Sequence, residues 1–128
     1  SASSIELVPW TDNVPNEMGN ADVFLLASKH EAYALTLIEA MATGLPIVTT
    51  DVGCVGEVVK DRVHGIVVAE ESDIAYAKGM EEMYANTVFR KSCGEQGKIT
   101  AEKIGAVSMN DYAHSWAKSI SMSAHGEV

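Results

Sequence analysis

Between residues 21 and 51 the pattern of apolar and polar positions changes period twice. Ala21-Asp-Val-Phe-Leu-Leu-Ala27 is a short apolar run, the signature of a buried strand. The polar stretch Ser28-Lys-His-Glu31 reads as a loop. Leu35, Leu37, Ile38, Ala40, Met41 and Ala42 then occupy most of the circumference of a helix. Thr36, Glu39 and Thr43 are its polar positions, spaced i, i+3, i+7, so they share one narrow stripe. Gly44 stops the helix, and Pro46-Ile-Val-Thr-Thr50 begins another strand. Strand, loop, helix and strand form a βαβ unit, whose loop sits where such folds bind ligands.

Four strands are readable in all: Ile5–Val8, Val23–Ala27, Ile47–Thr50 and Ile66–Ala69. Residues 14–20 make a short helix between the first two. Glu70-Glu-Ser-Asp73 offers an acidic helix start, after which Ile74, Ala77, Met80 and Tyr84 form an apolar face. Residues 87–105 carry a weaker helical pattern interrupted by Gly94 and Gly97. A last helix over 108–120 is clearer. Ser108 and Asp111 resemble a capping box, and Met109, Tyr112, Ala113, Trp116 and Ile120 repeat at helical spacing. Residues 121–128 read as a frayed tail. The fold class is α/β, a mostly parallel sheet of about four strands flanked by helices.

Two carboxylates stand out by position. Glu31 lies in the loop and Glu39 on the polar stripe of an otherwise apolar helix. A solvated stripe explains an isolated Glu at such a place. The helix start changes the weighing: backbone N–H groups of Ala34, Leu35 and Thr36 are unpaired donors at its positive end, opening at the carboxyl edge of a strand. That end suits an anion such as phosphate, and the flanking carboxylates suit hydroxyl groups.

Glu31 and Glu39, eight positions apart and followed by Ala-Met-Ala-Thr-Gly-Leu-Pro-Ile-Val48, resemble the signature of the retaining glycosyltransferases of family 4 (group 1). Val8-Pro-Trp10, residues 14–22, Thr50-Asp-Val-Gly-Cys-Val-Gly-Glu-Val-Val59, His64-Gly-Ile-Val-Val68 and residues 108–120 resemble the segments around it, so the similarity runs to about residue 120. That family has the GT-B fold, two Rossmann-like domains facing a cleft, and the signature belongs to the C-terminal, donor-binding domain. The resemblance implies that Glu31 contacts the transferred sugar at the reaction centre and that Glu39 accepts from the ribose hydroxyls. Backbone N–H groups of Tyr33, Ala34, Leu35 and Thr36 would hold the diphosphate. It implies a nucleotide-diphosphate sugar as donor and no metal or other cofactor. Ala32 and Ala34 stand where the family often has Gly, Cys54 and Gly56 replace a commoner Gly and Pro, and Arg62 replaces a turn Gly. His64, often Asn in the family, suits a turn because both residues tolerate left-handed conformations.

Length narrows the reading. A chain of 128 residues makes one domain. The family's N-terminal acceptor domain, and the first donor-domain strands with their basic phosphate contacts, have no counterpart in it. The chain therefore reads as a partial Rossmann-like domain, the latter part of a donor-binding unit over residues 1–120, expected to be inactive alone. In the family's strand order Ile5–Val8 is third and Val23–Ala27 fourth, separated by two strands. Val23–Ala27 is then an apolar edge, which Ile5–Val8, a second copy or a separate chain would cover, and self-association is the favoured remedy.

Composition adds exclusions. The formal net charge is −9, which argues against nucleic acid and anionic membranes, and no apolar run approaches a membrane span. Cys54 and Cys93 suggest free thiols in a reducing, cytoplasmic compartment. No carboxylate pair or His/Cys cluster has metal-ligand spacing. His30 is close enough in sequence to reach a ligand beside Glu31. Two other readings remain open on the residues alone: a non-catalytic α/β binding or assembly module, and another GT-B enzyme such as a sugar-nucleotide epimerase.

Overall fold

The computed structural model describes residues 4–105, and in them the expected α/β architecture is present. In chain order the elements are α1 (Val14–Gly19), β1 (Phe24–Leu26), α2 (Leu35–Ala42), β2 (Ile47–Thr50), β3 (Gly65–Val68), α3 (Asp73–Ala85) and α4 (Thr87–Lys103). The strands form one parallel sheet in the order β1-β2-β3, with Phe24 beside Ile47 and Ile47 beside Gly65. The final helix expected over 108–120 and the tail lie outside the described residues.

The sheet has three strands among the described residues instead of four. Ile5–Val8 is not a strand: residues 5–10 run irregularly and exposed, with Leu7 92% accessible. No described strand lies beside them, and an unpaired strand leaves its backbone groups without partners. The edge of the sheet is therefore β1, which pairs with β2 alone and leaves Leu25 exposed.

Alternation along β2 assigns its residues to two layers. Ile47 joins Phe24, Leu26, Leu37, Ile38 and Met41 under α2, while Val48 joins Ile66, Val68, Met83 and Cys93 under α3. Both cysteines are buried free thiols, filling space in these layers. Burial pushes the Cys93 thiol up to about 11.

Two features of the helical half differ from the pattern-based expectation, both because small residues pack where large ones were sought. The stripe Ile74, Ala77, Met80 and Tyr84 faces outward, with Ile74 71% and Tyr84 82% accessible. The face of α3 turned to the sheet carries Ala75, Tyr76, Gly79 and Met83. Gly79 permits this, since an added methyl there would crowd Val48, Ile66 and Val68. Likewise Gly94 and Gly97 do not interrupt α4, which is continuous. They are buried where it meets Gly44 and Met41, so the glycines mark a close helix approach.

The β2–β3 loop is tied down at its far end. Lys60 N–H donates to His64 Nδ1 at 2.9 Å, and His64 Nε2 lies 2.9 Å from Thr100 Oγ1 on α4. His64 is only 3% accessible, and burial together with the Lys60 charge lowers its pKa. The ring is thus neutral, with its proton on Nε2. His64 is an anchor and not a left-handed turn residue: among the described residues the non-glycine positions with positive φ are Ala34 (61°) and Arg62 (67°). Arg62 takes the left-handed conformation that favours glycine, pairs with Glu82 and lies 5.9 Å from the centroid of the Phe89 ring.

Candidate functional site

Two loops meet at the carboxyl ends of the strands. Residues 27–34 connect β1 to α2, and residues 51–64 connect β2 to β3. Thr50, the last residue of β2, donates its hydroxyl to the Ser28 carbonyl at 2.5 Å. One turn further on, Cys54 N–H donates to the Tyr33 carbonyl at 2.8 Å. Gly53 makes this contact possible. Its φ is +58°, and an added Cβ would overlap the Tyr33 carbonyl and the Ala34 methyl.

This docking decides how α2 begins. Ala34 is the N-cap residue in the left-handed region (φ 61°, ψ 59°), and no side chain caps the helix. An alanine holds that conformation at a cost of roughly 1–2 kcal/mol, which the buried contacts of its methyl and the docked loop offset. The first N–H groups of α2 therefore point out of the helix unclaimed by a side-chain cap, at its positive end.

Around that end the expected residues separate into two groups. Glu31 lines an open cleft of about 560 Å³ with Lys29, His30, Asp51 and Gly53, and its Oε1 accepts from Ser28 Oγ at 2.8 Å. Tyr33, Ala34, Leu35, Thr36 and Glu39 do not line that cleft. The first four form the turn leading into α2 and its first residues, and Glu39 stands one turn into the helix. The Glu39 carboxylate is half-buried, and its pKa is raised by desolvation alone. No described residue gives it a hydrogen bond or an ion pair. Partial desolvation disfavours the charged carboxylate, and a hydroxyl-bearing ligand is one source of compensation.

Sequence reasoning missed Ser28, Thr50, Asp51 and Gly53 as parts of this region. Their signal was the strand end Thr50-Asp-Val-Gly53, legible as a segment but not as a wall of the same cleft. A second open space of about 460 Å³ continues from Lys29 and Asp51 to Glu70 and is bordered on α3 by Tyr76, Ala77 and Met80. Among the described residues no group of three or more His, Cys, Asp and Glu is placed to hold a metal ion. No described helix is long and apolar enough to cross a membrane.

Residues 4–100 match the family described as "Glycosyl transferases group 1". The chain belongs to that family. A D-inositol 3-phosphate glycosyltransferase of Paenarthrobacter aurescens is 30% identical over 98 residues, which cover 73% of this chain and 24% of that protein. Among solved structures, the C-terminal domain of a glycosyl transferase group 1 family protein from Francisella tularensis superposes with a TM-score of 0.67. It is 21% identical, over 77% of this chain and 51% of that one. HepE from Anabaena, solved in complex with UDP-glucose, gives a TM-score of 0.66 at 19% identity, over 88% of this chain and 30% of that one. The chain spans about a quarter of the length of the curated relatives that it matches over most of its own length. As a group 1 glycosyltransferase sequence it carries α2 and its two docking loops inside the matched region.

Proposed function

We propose that this chain is the donor-binding part of a retaining glycosyltransferase and holds a nucleotide-diphosphate sugar across the start of α2. The observation that carries the reading is the uncapped N-terminus of α2, docked by Gly53 and Cys54, with Glu31 before it and the half-buried Glu39, which has no side-chain partner among the described residues, one turn inside. The diphosphate accepts from the N–H groups of Tyr33, Ala34, Leu35 and Thr36, which also stabilise charge on the leaving phosphate during transfer. Glu39 accepts from the ribose hydroxyls, and Glu31 holds hydroxyls of the transferred sugar. Those N–H donors do the work that a cation does elsewhere, so binding is metal-independent. The solved complex of HepE with UDP-glucose supports the donor class. A net charge of −9 favours neither nucleic acid nor an anionic membrane, and two buried thiols suit the cytoplasm.

The acceptor and the other cleft wall come from an N-terminal domain. Half a cleft excludes little water and orients no acceptor, so this chain by itself binds weakly and transfers nothing. NMR titration with UDP-glucose and with GDP-mannose tests this. Amide shifts should move at residues 33–36 with one of the two, at millimolar affinity and unchanged by EDTA. Shifts confined to other surfaces, or sugar transfer by the purified chain, would refute it. The β1 edge further supports self-association of the chain as it stands, since Leu25 and the backbone beside it are uncovered. Sedimentation at micromolar concentration should report a dimer or larger, and a monomer removes that expectation.

A further inference from the structure

Glu31 is an exposed carboxylate in a loop, and the role proposed for it requires one fixed orientation. We infer that Ser28 is a positioning residue for Glu31: its hydroxyl holds Oε1 and leaves Oε2 to meet a donor-sugar hydroxyl. This rests on the donor-site reading above. Ser28 Oγ donates to Glu31 Oε1 at 2.8 Å, while the Ser28 carbonyl accepts from Thr50 Oγ1 at 2.5 Å. The two bonds form a relay that begins on the last residue of β2, so the carboxylate is referenced to the sheet through Thr50.

A loop serine bonded to a carboxylate three residues on can simply satisfy the loop, and such exposed pairs contribute little to stability. Two observations favour the positioning role. The strand-end hydroxyl is spent on the backbone of Ser28 and on no other described partner, which fixes the donor before it meets Glu31. Asp51, the next residue, lines the same cleft as Glu31. The Lys29 ammonium lines that cleft too, so Glu31 has charged groups of both signs to turn toward or away from, and a charge-assisted bond from a fixed hydroxyl selects one orientation.

The test compares the chain with Ser28→Ala, Ser28→Thr and Thr50→Val. Side-chain order at Glu31, from carbon relaxation of labelled Glu, is measured without ligand, with Glu39 as internal reference. Ser28→Ala should mobilise Glu31 and leave Glu39 unchanged, Thr50→Val should do so in part, and Ser28→Thr should restore the order. With ligand, Ser28→Ala should lower the preference for UDP-glucose over UDP by about tenfold, the change that ~1.4 kcal/mol gives. Affinity for UDP itself should stay the same. Unchanged Glu31 order in Ser28→Ala overturns the inference whatever the ligand data show. Failure of every variant and the parent to bind UDP-glucose, UDP or GDP-mannose overturns the donor-site reading instead, and the order measurement still decides the role of Ser28.

Discussion

Replacing Gly65 by Ala should lower the thermal midpoint of this chain by more than 10 °C. Gly65 opens β3 directly opposite Ile47 of β2, and an added Cβ would overlap the Ile47 carbonyl and its backbone nitrogen. A crowded side chain can rotate away, but a strand carbonyl in a ladder cannot. The β2–β3 pair must therefore separate at its start, where Ile47 N–H also donates to the His64 carbonyl. Overpacking of this kind costs about 3 kcal/mol or more. In a domain of 128 residues each kcal/mol shifts the midpoint by roughly 4 °C. Gly19→Ala is the matched control, because no atom lies within 4 Å of a methyl added there. Circular dichroism melts of the two variants make the comparison, and a Gly65→Ala midpoint within 3 °C of the parent would show that the strands have room to shift.

The second large effect concerns the two glutamates, measured in a polypeptide that supplies the rest of the cleft. Glu31→Gln should lower kcat by about 10²–10³, the usual cost of removing one preorganised group at the reacting centre, while nucleotide affinity stays within a factor of three. Glu39→Gln should do the reverse. Its carboxylate is half-buried and has no partner among the described residues, so a ribose would receive charge-assisted hydrogen bonds there. Each such bond contributes roughly 1.5–3 kcal/mol, so the donor KM rises by about ten- to a hundredfold with kcat little changed. Steady-state kinetics with the donor varied separates the two outcomes. Should Glu39→Gln leave the donor KM where it was, the ribose assignment fails. Should Glu31→Gln leave kcat untouched, so does the sugar assignment.

The two glutamates were legible because their environment is local. The stripe Thr36, Glu39, Thr43 follows from helical spacing, and the start of α2 at Leu35 is where the apolar period begins. Asp51 was not legible as a companion of Glu31, since it reaches the cleft only through the pairing of β1 with β2, and although Ser28 is three residues from Glu31 no helical or strand period marks their bond. The helical half shows the same division in packing. Hydrophobicity chose Ile74 and Tyr84 for the buried side of α3, whereas the sheet takes Gly79 and Met83, because a glycine lets the helix approach closely enough to cover Val48 and Ile66.

The sequence by itself determined the α/β class, the βαβ unit over residues 21–50, the family, and the two carboxylates that bracket the start of α2. Each of these is written in spacing within one short segment or in a signature of adjacent residues. Only the tertiary structure decided that Ile5–Val8 stays out of the sheet, that Gly53 and Gly65 tolerate no side chain, and that Ala34 is held left-handed by the loop packed on it. Those outcomes depend on which backbone lies within a few ångströms of which, and contacts between distant segments leave no period in the chain.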